Sequence, residues 1–242
     1  MPKVSIIIPC FNEERRLKKE PLLQLLHSGA DIALILVNDG STDNTHLLLE
    51  EIRKVDEEHV VVITYRENKG KANAVFKGME HALENHNPAF IGYLDADLST
   101  GVDEFLRLAE TAKHAEADYA FGSRIKMLNH EIYRSVVRHI CGRIITTIID
   151  SRYQLSIYDT QCGAKLFSPE IVKIITRTPF KTRWLFDVEI FLRIRNAGIS
   201  AKGLEIPLKK WTHYGNSKIS LLSAPQICGE LIRLAKNYKI TK

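Results

Sequence analysis

The sequence predicts an α/β protein with a mostly parallel central sheet covered by helices on both faces. Three observations support this. Strand-like apolar runs alternate with helix-period segments through the first half of the chain. Ile32 to Val37 is apolar at every position and the other runs nearly so, the pattern of strands buried on both faces. Three of the runs also end in turn-forming residues, at Pro9, Asn38 and Asp95, where a sheet of this kind turns into its next helix. With 242 residues, 45% of them hydrophobic, the chain can bury one large core, and no repeat, low-complexity stretch or linker marks a second domain.

Lys3 to Ile8 reads as the first strand, stopped by Pro9, and Phe11-Asn12-Glu13-Glu14 is expected to open an amphipathic helix continuing to about Leu26. Ile32 to Val37 is a second buried strand. The run Asn38-Asp39-Gly40-Ser41-Thr42-Asp43 follows it and leads into a helix from Thr45 to Val55. Val60 to Thr64 is the third strand, Lys71 to Leu83 the next helix, and Phe90 to Leu94 the fourth strand. A helix from Val102 to Lys113 comes next, then a strand from Tyr119 to Phe121 that ends in Gly122-Ser123-Arg124.

From Glu131 to Ile149 the pattern is helical and strongly apolar. Val137, Cys141, Ile144 and Ile148 share one stripe, widened by Ile145 and Ile149 and interrupted by Arg134, Arg138 and Arg143. Those charges rule out a membrane span. The stripe fits either a helix lying on a membrane surface or a core or dimer helix whose arginines reach out to water. Asp159-Thr160-Gln161-Cys162-Gly163-Ala164-Lys165-Leu166-Phe167 reads as a polar turn entering a strand, and Ser168-Pro169-Glu170 as a helix start. Trp184-Leu185-Phe186-Asp187-Val188-Glu189 opens a helix to Asn196 with Gly198 as its stop, and Gly203 to Ile206 is the last strand. A final amphipathic helix places Ile227, Leu231, Leu234 and Tyr238 opposite Arg233 and Lys236.

Candidate chemistry centres on Ile91-Gly92-Tyr93-Leu94-Asp95-Ala96-Asp97-Leu98-Ser99. In an extended backbone Asp95 and Asp97 project to the same side, so two hard carboxylates can share one divalent cation. Oxygen ligands suit Mg²⁺ or Mn²⁺, whose remaining positions are commonly filled by substrate phosphates. Ligands of parallel sheets sit at the carboxyl ends of the strands. Three such ends here carry Pro9-Cys10-Phe11-Asn12-Glu13, Asn38-Asp39-Gly40 and Asp95-Ala96-Asp97. No Gly-x-Gly-x-x-Gly follows the first strand and no Walker lysine motif occurs, which disfavours NAD and P-loop chemistry.

The 34 basic and 29 acidic residues leave a formal charge of +5, a mild preference for anionic partners. No zinc-finger, RNP or basic-heptad pattern supports nucleic-acid binding. Cys10, Cys141, Cys162 and Cys228 are scattered without a CxxC pair, which predicts reduced thiols in a cytoplasm rather than disulfides or structural zinc. Neither a secretory leader nor a run of about 20 apolar residues is predicted.

Several motifs together carry a resemblance. Val4-Ser5-Ile6-Ile7-Ile8-Pro9-Cys10-Phe11-Asn12-Glu13, Val37-Asn38-Asp39-Gly40-Ser41-Thr42-Asp43, Asn68-Lys69-Gly70-Lys71 and Asp95-Ala96-Asp97 resemble the successive signatures of inverting family 2 glycosyltransferases of the GT-A fold. Asp159-Thr160-Gln161-Cys162-Gly163, Lys165-Leu166-Phe167, Arg183-Trp184 and Phe186-Asp187-Val188-Glu189 are similar to the polyprenyl-phosphate branch, especially dolichyl-phosphate β-glucosyltransferases. The likeness spans roughly Lys3 to Ser217. It implies a catalytic domain over residues 1–217 and a helical tail over 218–242.

The resemblance further implies inverting transfer of a hexose, most naturally glucose from UDP-glucose, to a polyprenyl or dolichyl phosphate. Pro9, Phe11, Glu13, Val37 and Asp39 would hold base and ribose, with Lys71 beside the nucleotide. Asp95 and Asp97 would hold Mg²⁺ or Mn²⁺ on the diphosphate. Arg124 and one of Arg134 or Arg138 would meet the acceptor phosphate, for which a forked guanidinium is suited. Asp159 is the first candidate for an acid near the reacting oxygen, followed by Asp187 and Glu189. Relatives of this type commonly carry a membrane anchor or transmembrane helices. None is predicted here, so attachment to a cytoplasmic membrane face would fall to the 131–149 segment, the basic tail or a membrane subunit, and a homodimer is a further use of that segment. The alternatives are a family 2 transferase acting on a hydroxyl of a glycan, and an idle sugar-nucleotide-binding scaffold.

Overall fold

The computed structural model describes residues 3–29, 31–133, 136–212 and 224–238, with the backbone alone at 136–139, 141 and 224. Its strands are β1 (Val4–Cys10), β2 (Ile32–Asp39), β3 (Val60–Tyr65), β4 (Phe90–Leu94), β5 (Tyr119–Ser123), β6 (Glu131–Tyr133), β7 (Ala164–Phe167), β8 (Gly203–Pro207) and β9 (Lys210–Thr212). Its helices are α1 (Lys19–Leu26), α2 (Thr45–Val55), α3 (Lys71–Asn85), α4 (Val102–His114), α5 (Val136–Tyr153), α6 (Pro169–Ile175), α7 (Phe186–Asn196) and α8 (Ala224–Asn237). Seven strands form one sheet in the order β3-β2-β1-β4-β7-β5-β8, and β6 pairs with β9 apart from it.

The sheet is parallel except at β7, which runs antiparallel to both neighbours, β4 and β5. The chain builds β1, β2 and β3 outward on one side and then returns to place β4 on the other side of β1. That reversal leaves a crevice at the carboxyl ends of β1 and β4. Pairing of β1 with β4 stops at Ile7 opposite Tyr93, two residues short of Pro9, whereas pairing with β2 runs on to Cys10 opposite Asn38.

Every residue of β2 is buried, which is why Ile32 to Val37 reads as a continuous apolar run. Ile32, Leu34 and Leu36 face a cluster with Leu22 and Leu25 of α1, Leu49 and Ile52 of α2 and Phe105 and Leu108 of α4. Ile35 and Val37 face the opposite cluster with Val75 and Met79 of α3, Ile171 of α6 and Phe186 and Ile190 of α7. A third cluster joins Ile149 and Tyr153 of α5, Val188 and Leu192 of α7 and Leu234 of α8. The Glu230 carboxylate of α8 accepts the N–H groups of Arg183, Trp184 and Leu185, satisfying donors just ahead of α7.

Three expectations are corrected. The first helix begins at Lys19 rather than at Phe11. Asn12 has φ 53, and the N–H groups of Asn12, Glu13 and Glu14 bond Ser41, Thr45 and Asp43 instead of continuing a helix. Pro21, which lacks a donor, fits the first turn of α1 but would break a longer helix. The 131–149 helix divides into β6 and α5, because Ile132 pairs with Trp211 of β9, a strand not anticipated, and the two bury each other. On α5 the inward residues are Ile145 and Ile149, while Ile144 and Ile148 point outward with Ile140.

Two glycines give a paired test of this packing. A Cβ at Gly92 would lie 2.5 Å from the Lys165 carbonyl oxygen and 2.8 Å from the Phe105 ring, whereas one at Gly229 in α8 meets nothing within 4 Å. Gly92→Ala is expected to lose about 1–3 kcal/mol by overpacking. Gly229→Ala should gain about 0.5–1 kcal/mol from helix propensity. Urea denaturation measures both, and equal effects would contradict the packing described.

Candidate functional site

The loops after β1, β2 and β3 are stitched into one surface. Thr42 N–H donates to Asn12 Oδ1 at 2.8 Å, and the Asn44 amide donates to Glu14 Oε1 at 2.7 Å. Asp39, 2% exposed, accepts from the N–H groups of Lys69 at 3.0 Å and Gly70 at 2.7 Å. Gly40 has φ 71, and a Cβ there would lie 2.5 Å from the Glu67 backbone, so the close approach of the two loops requires glycine. Pro9 and Phe11 are half-buried at the mouth of this surface, and Glu13 is buried beside Arg16, which donates to it.

Asp95 and Asp97 follow β4 in a turn closed by the Leu98 N–H on the Asp95 carbonyl at 2.9 Å. Both are half-buried. Lys71, the first residue of α3, places Nζ 2.5 Å from Asp95 Oδ1 and 5.5 Å from the ring centres of Tyr93 and Phe186. Burial would lower the Lys71 pKa, but the charges of Asp95, Asp187 and Asp97 and the Asp95 hydrogen bond together outweigh it and raise the value. Asp97 Oδ1 accepts the Ser99 N–H at 3.0 Å.

Because β7 is antiparallel, its first residue, Ala164, lies opposite Leu94 at the carboxyl end of β4. The 159–163 turn therefore sits against Asp95, whose N–H donates to the Gly163 carbonyl at 3.0 Å. A Cβ on Gly163 would lie 1.9 Å from Asp95 Oδ2, so only glycine leaves the flank of that carboxylate clear.

At the other end of the turn Asp159 takes Arg124 in a forked ion pair, Nε to Oδ2 at 2.6 Å and Nη2 to Oδ1 at 2.8 Å. Burial acts to lower the Arg124 pKa, and the charge and hydrogen bonds of Asp159, with smaller contributions that include Asp95, together overcome it, so the guanidinium is held charged. Glu205 of β8 supports the turn, accepting the N–H groups of Tyr158 and Asp159, each at 2.8 Å, and the Ser123 hydroxyl at 2.6 Å. Arg143 of α5 stacks over Tyr158, 4.2 Å from its ring centre, and donates to the Tyr158 carbonyl.

The remaining candidates lie beneath this surface or beyond it. Val37 has no exposed surface and belongs to the core. Asp187 is 5% exposed and receives Lys165 Nζ at 2.5 Å and the Tyr93 hydroxyl. Burial and the Asp187 charge raise the Tyr93 pKa well above its ordinary value. Glu189 is wholly buried and accepts from Lys181 N, Thr182 N, the Thr182 and Tyr238 hydroxyls and Arg193. Arg193 also donates to the carbonyls of Ile175 and Pro179. Arg134 lies outside the described residues, as does the Arg138 side chain.

Residues 5–175 match the model of glycosyl transferase family 2. The chain belongs to that family. It is 27% identical over 253 residues to a dolichyl-phosphate β-glucosyltransferase of Trichomonas vaginalis, covering 98% of this chain and 74% of the relative. To the dolichyl-phosphate β-glucosyltransferase of Saccharomyces cerevisiae it is 29% identical over 263 residues, covering 99% and 74%. Its fold is similar to glucosyl-3-phosphoglycerate synthase from Mycobacterium tuberculosis, solved in complex with Mn²⁺, uridine diphosphate and phosphoglyceric acid. The TM-score is 0.71 at 15% identity over 100% of this chain and 80% of that one. The family 2 chain thus has the GT-A architecture that its motifs imply.

The acid pair of this transferase fits a divalent cation of the Mg²⁺ or Mn²⁺ kind. Its donors are hard oxygens, half-exposed, with the flank of Asp95 kept clear by Gly163. Among the described residues no group of three or more His, Cys, Asp or Glu converges. Two carboxylates and substrate phosphates suffice for such an ion.

Lys165, Glu205 and Gly163 are the site residues that sequence reasoning left unassigned. A lysine inside the four-residue apolar strand Ala164–Phe167 was the available signal.

Glu189 yields a pH prediction. Burial alone would raise its pKa, but hydrogen bonds from Lys181, Arg193, Tyr238 and Thr182 hold it below the ordinary 4.5. A depressed carboxylate contributes stability that is complete above the unfolded value and lost as pH falls through the folded one. Glu189→Gln should therefore lower Tm most at neutral pH, with the gap to the parent closing on acidification below 4.5. A gap that widens in acid would contradict the assignment.

Proposed function

We propose that this family 2 chain transfers glucose from UDP-glucose, with inversion, onto a polyprenyl phosphate of the dolichyl kind. The observation that carries the reading is the short turn between Asp159 and Gly163, which sets the Arg124–Asp159 fork beside the half-exposed Asp95. Similarity to dolichyl-phosphate β-glucosyltransferases over nearly the whole chain supports it. Residues 1–217 would form the catalytic domain, with 218–242 as a helical tail docked on it.

In this reading the loops after β1, β2 and β3 hold the nucleoside. Pro9, Phe11 and Glu13 line it, and Asp39 shapes the pocket by fixing Lys69 and Gly70. Asp95 and Asp97 would hold Mg²⁺ or Mn²⁺, which supplies charge neutralisation for the departing diphosphate. Lys71 adds a second positive charge on the same side.

The acceptor phosphate approaches from the opposite face of the sugar. Its oxygen forms the new bond to the anomeric carbon as the bond to UDP breaks. Asp159 holds Nε and Nη2 of Arg124, and Nη1 has no acceptor among the described residues, leaving it for the incoming phosphate. A phosphate monoester, with its second pKa near about 6, is already ionised at neutral pH and needs orientation more than a base. A hydroxyl acceptor would need its proton removed. Asp159, with both oxygens on one guanidinium, is poorly placed to do that, so the geometry favours phosphate. Asp187 and Glu189 act as buried supports in this scheme.

Membrane contact would fall to α5. Ile140, Ile144 and Ile148 are exposed on its outer face, flanking Arg143, which reaches toward the 159–161 turn. No helix among the described residues is long and apolar enough to cross a membrane. In this reading α5 attaches peripherally, at a cytoplasmic face with anionic lipid.

UDP release from UDP-glucose with Mg²⁺ or Mn²⁺ tests the chemistry. Release should depend on polyprenyl phosphate and fall by roughly 100-fold or more in Asp97→Ala. Arg124→Lys should raise the KM for polyprenyl phosphate by about tenfold and leave that for UDP-glucose unchanged. Release that is indifferent to the lipid phosphate would refute the acceptor assignment. Separately, the parent should sediment with vesicles containing anionic lipid, and Ile144→Glu should weaken that binding without changing turnover on a short-chain, water-soluble acceptor.

A further inference from the structure

Lys165 has no exposed surface, an uncommon place for an ammonium group. It lies in the interior of β7, opposite Tyr93 of β4. Its Nζ donates to Asp187 Oδ1 at 2.5 Å and to the Cys162 carbonyl at 2.6 Å. The Tyr93 hydroxyl donates to the same carboxylate oxygen, and the ammonium stands 5.3 Å from the Tyr93 ring centre.

Stability alone is a poor account of this arrangement. Desolvating both charges costs most of what their attraction returns, and an apolar pair of similar volume is commonly as stable. An apolar pair lacks a directional hydrogen bond on the Cys162 carbonyl. That carbonyl belongs to the turn bearing Asp159 at one end and Gly163 at the other. Gly163 accepts the Asp95 N–H and packs against the Asp95 carboxylate. One buried ammonium therefore links the Arg124–Asp159 end of the site, the start of α7 and the strand that delivers Asp95.

We propose that Lys165 is a positioning residue for glycosyl transfer. By holding the Cys162 carbonyl it fixes the 159–163 turn against Asp95, and so sets the distance between donor sugar and acceptor. Asp187 is its buried anchor. A displacement of about 1 Å between reacting groups can cost about 100-fold in rate, so a tether of this kind acts on turnover more than on binding. The inference rests on the transfer reading above but not on the identity of the acceptor.

Lys165→Met alone strands the Asp187 charge and risks unfolding. Lys165→Met combined with Asp187→Asn removes both charges while leaving Tyr93 an acceptor. The double variant is expected to melt within a few degrees of the parent, to bind UDP and keep the UDP-glucose KM unchanged, and to lose about 100-fold in kcat. The two single substitutions should each cost as much as the pair, because the groups act as a unit. Amide hydrogen exchange should show lost protection at Asp95 and over 159–163, with β1 unchanged. A folded double variant with parental kcat and parental exchange would overturn the proposal. Additive single effects on kcat would also overturn it, by putting Asp187 on the substrate. If the parent releases no UDP with any acceptor, the transfer reading fails, and exchange at Asp95 then decides the tether by itself: retained protection overturns it and lost protection upholds it.

Discussion

One antiparallel strand placed among parallel ones determines how this molecule makes a site. In a parallel sheet all strand ends of one kind lie on one edge, and the starts of strands lie on the other. Since β7 runs backward between β4 and β5, its entry turn sits on the same edge as their exits. The acidic turn after β4 and the turn that carries Asp159 thus meet, although they are more than sixty residues apart in sequence. The ladder that pairs Leu94 with Ala164 is what holds the two halves in register.

Among the buried or half-buried ion pairs around that ladder, three besides Lys71–Asp95 have different consequences. Arg124–Asp159 is a forked pair that keeps 14% of the arginine side chain and 8% of the aspartate side chain exposed. Lys165–Asp187 lies directly beneath, tied to the turn from below. Glu189–Arg193 is remote from the surface and gathers the carbonyls before α7 and the Tyr238 hydroxyl of the tail. Removing one partner of such a pair typically costs about 3–5 kcal/mol because a buried charge is left alone. Loss of function on substituting Asp187 or Glu189 would therefore not by itself place either on the substrate.

The pairing of Arg124 with Asp159 also bears on which acceptor suits the site. A forked guanidinium matches phosphate oxygens, and a carboxylate engaged through both oxygens orients that guanidinium rather than accepting a proton. The outer face of α5 adds an apolar surface next to the same turn, with Arg143 between them. The guanidinium proposed to meet the acceptor phosphate and the apolar outer face of α5 are in this way adjacent on one side of the molecule.

The sequence by itself determined the alternation of strands and helices, the three loops that converge at the strand ends, and the Asp95–Asp97 pair. Each of these follows from local patterns: side-chain period, turn chemistry and the rule that parallel strands expose their carboxyl ends to ligands. Only the tertiary structure decided the direction of β7, the pairing of Ile132 with Trp211, and which side of α5 faces water. It also turned Asp187 and Glu189 inward, although both stand in the first turn of α7, where a carboxylate is equally at home in solvent. Periodicity states which residues share a face but not what covers it. That depends on partners distant in sequence, and for a buried Lys165 or a fully bonded Glu189 the partners are the whole explanation.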